Sequence, residues 1–198
     1  MQKHIKNQIR VVNKTFKKYD YKVTNELVKS CMETLGKGNK IITTALGKNI
    51  PICDKFVGTL NSVGINASFL NTNSAVHGDL GMIRPNDLII VLSKSGETPE
   101  TIYLSKILKK RRANSWLITC SKQGTTHKYI CRTVYLPIES EADPWNLIPN
   151  GSTLVFLIYL QALTMKLIEQ LKIPLSTFKK NHPGGSIGKI LRKNNGQK

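Results

Sequence analysis

The spacing of apolar residues along the chain predicts helices towards both ends and short strands between them. From Ile9 to Leu35 apolar side chains recur at three- and four-residue steps, which indicates one helix or a broken pair of helices that ends at Gly36 and Gly38. Further along, short runs rich in β-branched or large apolar residues predict strands. These five runs are residues 40–45, 67–70, 87–93, 115–120 and 133–136.

Helical patterns separate these runs and follow the last of them. Residues 51–64, 99–112 and 151–171 have helical spacing, and a proline suits the first turn of the first two. Strands that are apolar throughout and alternate with helices favour a parallel sheet covered on both faces. We therefore predict an α/β fold, a Rossmann-like three-layer α/β/α sandwich with a mainly parallel five-stranded sheet. In such folds ligands bind beyond the carboxyl ends of the strands.

The length of 198 residues fits one domain. We expect a helical segment over residues 1–38 that packs on a domain over residues 39–192, followed by a polar tail over residues 193–198. The four cysteines form no C-x-x-C pair and have no histidine at zinc-site spacing, which is typical of reduced thiols. The amino terminus lacks the pattern of a signal peptide, and the apolar stretch over residues 154–163 is too short to cross a bilayer. We expect a cytosolic protein with no membrane partner.

The chain carries 30 Lys and Arg against 12 Asp and Glu, a net charge of +18. The basic residues are spread over both ends and the run at residues 109–112, and aromatic residues do not alternate with them. Nucleic-acid binding usually combines a basic stripe with stacking aromatic side chains. We therefore do not expect nucleic acid as a partner, whereas the same charge would attract a small phosphorylated substrate.

The segment SKSGETPE, residues 93–100, follows the third predicted strand and offers a site for an anion. The hydroxyls of Ser93, Ser95 and Thr98 surround a glycine, and a helix capped by Thr98 begins directly after them. An ordinary helix cap would explain Thr98 and the acidic residue Glu100, but it would not explain the two serines and the glycine together. We expect this loop to bind a phosphate monoester.

This segment resembles the phosphate loop of the sugar isomerase (SIS) domain, and two further motifs narrow the resemblance. AVHGDLGMI at residues 75–83 and NHPGGSIGK at residues 181–189 are similar to the arabinose 5-phosphate isomerases of the KdsD/GutQ/KpsF branch. The resemblance runs over about residues 40–191. It implies interconversion of D-ribulose 5-phosphate and D-arabinose 5-phosphate through an enediol or enediolate, as a step that feeds 3-deoxy-octulosonate (Kdo) biosynthesis.

The resemblance also implies a set of site residues. Lys48, Glu100, Glu141 and His182 match the family's catalytic positions, while Gly47 and His77 match substrate-binding positions beside Ser93, Ser95 and Thr98. Either glutamate could be the base, Lys48 the electrostatic stabiliser, and either histidine a proton carrier. No cofactor or metal is required for such a proton shuttle. Because SIS isomerases often offer such histidines across subunit interfaces, we expect a homodimer or homotetramer.

Several departures from the family pattern leave alternatives open. The first loop reads ALGKNI instead of GMGKSG, Trp145 adds bulk beside the expected sugar site, and Asn71 replaces a histidine that binds zinc in some members. We also expect no CBS modules, which larger members append. The alternatives are an isomerase of another phosphosugar, such as hexulose 6-phosphate, and a sensor of a sugar phosphate or nucleotide-activated sugar that has no catalytic activity.

Overall fold

The computed structural model describes residues 1–193, except for the side chain of Lys193, and within this range it forms five strands and seven α-helices. The predicted polar tail lies outside the described residues except for Lys193, which ends the last helix. The elements are α1 (Gln2–Lys18), α2 (Tyr21–Gly36), β1 (Ile41–Ala45), α3 (Ile50–Ser62), β2 (Ala67–Asn71), β3 (Leu88–Leu92), α4 (Pro99–Lys110), β4 (Asn114–Thr119), β5 (Thr133–Tyr135), α5 (Gly151–Gln170), α6 (Leu175–Lys180) and α7 (Gly185–Lys193).

The five strands form one parallel sheet in the order β2-β1-β3-β4-β5. The predicted α/β fold with a parallel five-stranded sheet flanked by helices is confirmed. The chain moves outward from β1 to β2 and then returns to the other side of β1, so the direction of winding changes between β1 and β3. In open parallel sheets this change creates a crevice at the carboxyl ends of the strands, where ligands bind.

The amino-terminal helical pattern is a broken pair of helices. Tyr19 has an extended backbone after α1, and the Asp20 side chain accepts a hydrogen bond from the Lys22 amide at 2.9 Å, which caps the start of α2. The α1 helix packs along α5. The Thr15 hydroxyl donates to the carbonyl of Pro137 at 2.6 Å, and Lys14 pairs with Glu139 at 2.7 Å. These contacts attach α1 to the segment that follows β5.

Helix α5 fills the centre of the helical layer on one face of the sheet. Its 20 residues are long and apolar enough, by length and composition, to cross a membrane, so the prediction that the apolar stretch is too short was wrong. Half of the apolar window is buried inside the protein, as in the core helix of a soluble domain. The side chains it buries include Val155, Phe156, Tyr159, Leu160, Leu163 and Leu167.

All four cysteines are free thiols. Cys31 and Cys53 are buried, and burial raises the pKa of each thiol to about 12. A thiol that holds its proton this firmly is a weak nucleophile at neutral pH. Cys31 and Cys53 therefore act as small core residues, as the sequence indicates.

Candidate active site

The carboxyl edge of the sheet carries eight of the nine predicted site residues. Gly47 and Lys48 follow β1, His77 follows β2, and Glu141 lies in the segment after β5. The predicted phosphate-binding residues and Glu100 occupy the turn between β3 and α4 and the first turn of that helix. Because β1 and β3 are neighbours, the loop with Lys48 and the phosphate loop flank the crevice where the winding direction changes.

Side-chain hydroxyls shape the phosphate loop, residues 93–98, from within. Ser93 is buried, and its hydroxyl oxygen accepts a hydrogen bond from the Gly96 amide at 3.2 Å. Ser95 is exposed, and its oxygen accepts one from the Glu97 amide at 3.1 Å. The geometry therefore favours a substrate contact for Ser95, while buried Ser93 holds the turn in shape.

Thr98 occupies the cap position of α4, but its side chain makes no capping hydrogen bond. The expectation that its hydroxyl caps the helix was wrong, because the hydroxyl accepts no hydrogen bond from the amides of the second and third helical residues, Glu100 and Thr101. The first amides of a helix have no partner within the helix. Without a side-chain cap at α4, these amides and the Thr98 hydroxyl are left for an anion at the start of the helix.

A second loop, residues 124–126, holds the phosphate loop from the side. The Thr126 amide and hydroxyl both donate to the carbonyl of Gly96, at 3.0 and 2.7 Å, and the Thr125 amide donates to the Glu97 carboxylate at 2.8 Å. Gly124 passes so close that a Cβ atom there would lie 2.7 Å from the Ser95 carbonyl oxygen. The phosphate loop is thus braced by contacts within the protein.

Glu141 is fully buried where the segment after β5 meets the start of α5. Its carboxylate accepts hydrogen bonds from the backbone amides of Asn150 and Ser152, at 3.0 and 2.8 Å, and from the Ser152 hydroxyl at 2.8 Å. The amide hydrogens belong to the amino terminus of α5, where a negative charge is favoured. Both carboxylate oxygens are therefore hydrogen-bonded within the protein.

Lys94 brings a positive charge to this carboxylate. Its ammonium nitrogen lies 2.6 Å from Glu141 Oε1. Burial would raise the pKa of the Glu141 carboxyl, but hydrogen bonds from Lys94 and Ser152 outweigh burial and hold the pKa below its ordinary value. Glu141 is thus an ionised, fully partnered carboxylate at neutral pH, and not the exposed acid that its polar sequence context suggests.

A cleft of about 300 Å³ opens beside this ion pair at the carboxyl ends of β3, β4 and β5. Its walls mix the phosphate loop with the segments after β4 and β5. Trp145 is 69% exposed, while its neighbour Asn146 lines the cleft and accepts a hydrogen bond from the Glu141 amide at 2.7 Å. The lining residues are Lys94, Ser95, Cys120, Ser121, Ile138, Glu139, Ser140 and Asn146.

Three predicted residues lie on the same edge with exposed side chains: Lys48, His77 and Glu100. Beside Lys48, the Asn49 Oδ1 atom is buried and finds no hydrogen-bond donor among residues 1–193. A buried polar atom without a partner is costly, and a ligand hydroxyl is one group that could donate to it. These side chains present charge and proton-transfer groups around the crevice.

His182 does not lie at the carboxyl edge of the sheet with the other predicted site residues. The neighbouring Asn181 side chain donates to the carbonyl of Ser62 at 3.2 Å, at the end of α3, and the Asn61 side chain bonds the first residue of β2. That point belongs to the amino edge of the sheet, about 16 Å from the carboxyl edge for a five-residue strand. One chain therefore does not bring His182 to the other site residues.

No cluster of three His, Cys, Asp or Glu side chains suited to a metal ion occurs in the described part of the chain. Asn71, at the position of the zinc-binding histidine of some family members, ends β2, and its side chain accepts a hydrogen bond from the Asn73 amide at 2.9 Å. The absence of a metal requirement remains a prediction.

Comparison with known proteins decides the family. The SIS domain model matches residues 34–166. The chain belongs to the SIS domain family. Among curated proteins, an uncharacterized protein of Chlamydia pneumoniae is 36% identical over 82% of this chain and 50% of that protein. Arabinose 5-phosphate isomerase KdsD of Pseudomonas aeruginosa is 30% identical over 86% of this chain and 52% of that protein.

A solved structure, that of the E. coli CFT073 protein c3406 in complex with arabinose 5-phosphate, is similar to this SIS domain. Its TM-score is 0.86 at 28% identity, over 92% of this chain and 95% of that one. The chain spans about half the length of the curated relatives it matches. The predicted family resemblance is confirmed at the level of the SIS domain and its similarity to arabinose 5-phosphate isomerases.

The sequence analysis did not identify the residues that hold Glu141 and the phosphate loop in place. The sequence analysis gives no role to Lys94, which lies between two serines, nor to Ser152 or Thr126. One signal was present for Ser152, because a serine near the start of a predicted helix often bonds nearby groups. Nothing in the local sequence predicts that Lys94 reaches Glu141.

Proposed function

We propose that this SIS domain is an aldose–ketose isomerase of phosphosugars, and that it interconverts D-ribulose 5-phosphate and D-arabinose 5-phosphate. The main support is the carboxyl edge of the sheet, where a braced phosphate loop lies beside a cleft with a buried ion pair. Similarity to named arabinose 5-phosphate isomerases favours this substrate among phosphosugars.

The chemistry requires few groups. A base removes a proton from the carbon next to the carbonyl, a cation stabilises the oxygen that becomes negative, and a proton returns to the other carbon. Exposed Glu100 and His77 are free to exchange protons with a substrate. Glu141 is a weaker candidate for the base than the sequence alone indicates, because protonating it would disrupt its hydrogen bonds and ion pair.

The phosphate group of the substrate is proposed to bind Ser95, Thr98 and the first amides of α4. In this proposal the contacts with the phosphate, far from the reacting carbons, are equally strong in the ground and transition states, so they contribute to KM alone. Removing both hydroxyls in a Ser95→Ala/Thr98→Ala variant should therefore raise KM about tenfold or more and leave kcat nearly unchanged. Steady-state kinetics on ribulose 5-phosphate measures both constants, and an unchanged KM would remove these hydroxyls from the phosphate site.

We further propose that the active enzyme is a homo-oligomer in which His182 of one subunit serves the site of another. The support is the distance of His182 from the carboxyl edge of its own subunit. Its Nδ1 donates to the carbonyl of Phe178 at 2.8 Å, which leaves Nε2 free to accept a proton. Exposed apolar side chains on α1 and α5, such as Ile5, Ile9 and Met165, offer surface for self-association.

In this proposal arabinose 5-phosphate feeds Kdo biosynthesis, and the protein works in the cytosol without a cofactor. Free thiols are consistent with a reducing compartment. The decisive test of the substrate is a panel of pentose and hexose phosphates assayed for aldose–ketose interconversion. Turnover of ribulose 5-phosphate supports the proposal. Turnover of hexulose 6-phosphate alone would replace the substrate, and binding without turnover would favour a sensor.

A further inference from the structure

Lys94 is held in place both at its backbone carbonyl and at its side-chain ammonium group. Its backbone carbonyl accepts hydrogen bonds from the Cys120 amide and the Thr119 hydroxyl, both at 3.0 Å, at the end of β4. Its ammonium group is fixed by Glu141, 2.6 Å away. A lysine on the surface usually samples many rotamers, so two anchors of this kind favour a defined position for the charge.

Glu141 has no free acceptor left for a substrate. Three hydrogen bonds from Asn150 and Ser152 and the ion pair with Lys94 occupy both oxygens, and the side chain is buried. A carboxylate offers about four acceptor positions. Substrate access and proton uptake would both require the loss of existing bonds, so the charge of Glu141 acts on its neighbour Lys94.

The Lys94 ammonium group remains accessible while its partner is not. The Lys94 side chain is 41% exposed against 1% for Glu141, and Lys94 lines the 300 Å³ cleft next to Ser95. An ammonium group has three N–H donors, and the ion pair uses one. The remaining donors are available to an oxygen atom in the cleft.

We propose that Lys94 is a catalytic residue that stabilises the oxygen on which negative charge develops, and that Glu141 is a positioning residue that holds Lys94 for this task. This inference rests on the proposed isomerase function. In the direction from ketose to aldose, a base takes a proton from C1, the C–H electron pair forms the C1=C2 bond, and the carbonyl electrons move onto O2. A proton then adds to C2 and the O1 proton passes to O2, which leaves the aldehyde at C1. Lys94 donates a hydrogen bond to O2 throughout and keeps its own proton.

A cation at O2 differs measurably from a cation at the phosphate. Charge on O2 appears only in the transition state and the enediolate, so the contact strengthens there and contributes to kcat. A phosphate contact is equal in both states and would contribute to KM. Lys94→Met keeps the length of the side chain and removes the charge, while Lys110→Met makes the same change on the exposed surface of α4 as a control.

The experiment measures wild type, Lys94→Met, Glu141→Gln, the double variant and the control with ribulose 5-phosphate. We expect kcat to fall about 10²–10³-fold in Lys94→Met, with KM within about threefold. Glu141→Gln should also lose kcat, and in the double variant the second change should cost less than about threefold, because residues that act as one unit are not additive. Added methylammonium should restore part of the kcat of a Lys94→Ala variant, which a structural role of Lys94 would not permit.

Each contrary result has its own meaning. A Lys94→Met variant that loses only KM, or keeps its kcat, would overturn the role of Lys94. A further loss of two or more orders of magnitude when Glu141→Gln is added to Lys94→Met would show that Glu141 acts on its own, as a base, and would overturn its positioning role. If wild type interconverts no phosphosugar, the proposed function fails, and the inference fails with it. The wild-type assay therefore separates the two failures.

Discussion

The Glu141 carboxylate shows how one residue type can have several roles that its neighbours decide. Its sequence context, ESEAD, is polar, and an exposed acid there would be ordinary. In the structure it is buried, ionised and bonded to the first amides of α5. A buried charge is tolerated only with such partners. The role of this side chain therefore depends on Lys94, Asn150 and Ser152 more than on its own basicity.

The lowered pKa of Glu141 predicts a pH dependence of folding. The folded-state pKa lies below the ordinary value of 4.5, so the carboxylate adds stability above the unfolded pKa, and this stability is lost as pH falls through the folded pKa. We expect the free energy of unfolding to decrease below about pH 4.5. Urea titrations of wild type and Glu141→Gln over pH 3–6, about the range of a glutamate, provide the test. An equally steep decrease in both proteins would mean that Glu141 is not the source.

At the scale of elements, close backbone contacts decide where the loops of the site lie. Helix α5 begins where Gly151 touches the preceding segment, since a Cβ atom there would lie 2.7 Å from the Ser140 carbonyl oxygen. A second contact of this kind holds the phosphate loop against Gly124. Both contacts join elements that the sequence predicts separately but cannot place relative to each other.

Gly151→Ala should therefore destabilise the protein by about 1–3 kcal/mol, because backbone atoms must shift to admit the methyl group. Gly36→Ala is a matched control, since the last residue of α2 has no atom within 4 Å of the added Cβ. There alanine should be neutral or stabilise by up to about 1 kcal/mol. Chemical denaturation measures both changes. Equal stabilities would contradict the close approach at Gly151.

Gly124→Ala tests the brace of the phosphate loop. The added methyl group would press on the Ser95 carbonyl and the Gly96 Cα, which lies 3.3 Å away. Because the loop is displaced, we expect the dissociation constant for arabinose 5-phosphate to rise about tenfold. This corresponds to a loss of about 1.4 kcal/mol of binding free energy. Gly58→Ala, on α3 with nothing within 4 Å, is the control. Calorimetry that finds unchanged affinity for Gly124→Ala would show that the loop tolerates displacement.

The elements themselves were largely predictable from the sequence. Apolar strand runs that alternate with helical patterns were sufficient for the five parallel strands, with each bound shifted by at most one residue. The pairing of Lys94 with Glu141 was not predictable, because it depends on the course of two loops in space. The same holds for the missing side-chain cap at Thr98, where a favourable residue type does not guarantee the bond.

At the scale of the whole molecule, the fold separates residues that the family motifs combine. Local patterns do not predict that the segment with His182 packs on the end of α3, because that contact joins residues more than 100 positions apart. The net charge of +18 also acts at this scale, and would attract the proposed phosphorylated substrate at distances up to about the screening length.

A shared active site predicts that two inactive variants restore each other. Subunits with Lys94→Met and subunits with His182→Ala should recover activity when they are mixed by joint refolding, because a hybrid dimer contains one site with neither change. Random pairing would give about a quarter of wild-type activity. Light scattering reports the assembly in parallel. Failure to recover activity, or an active monomer, would contradict the shared site.

The most direct test of the isomerase account follows the proton itself. Ribulose 5-phosphate is incubated with the wild-type protein in D₂O, and proton NMR follows the sugar over time. Isomerisation through an enediolate predicts arabinose 5-phosphate with deuterium at C2, and loss of the signal of one of the two C1 protons from the remaining ribulose 5-phosphate as the base exchanges with solvent. Saturable binding of ribulose 5-phosphate with neither a new sugar nor incorporated deuterium would contradict the account and favour a sensor.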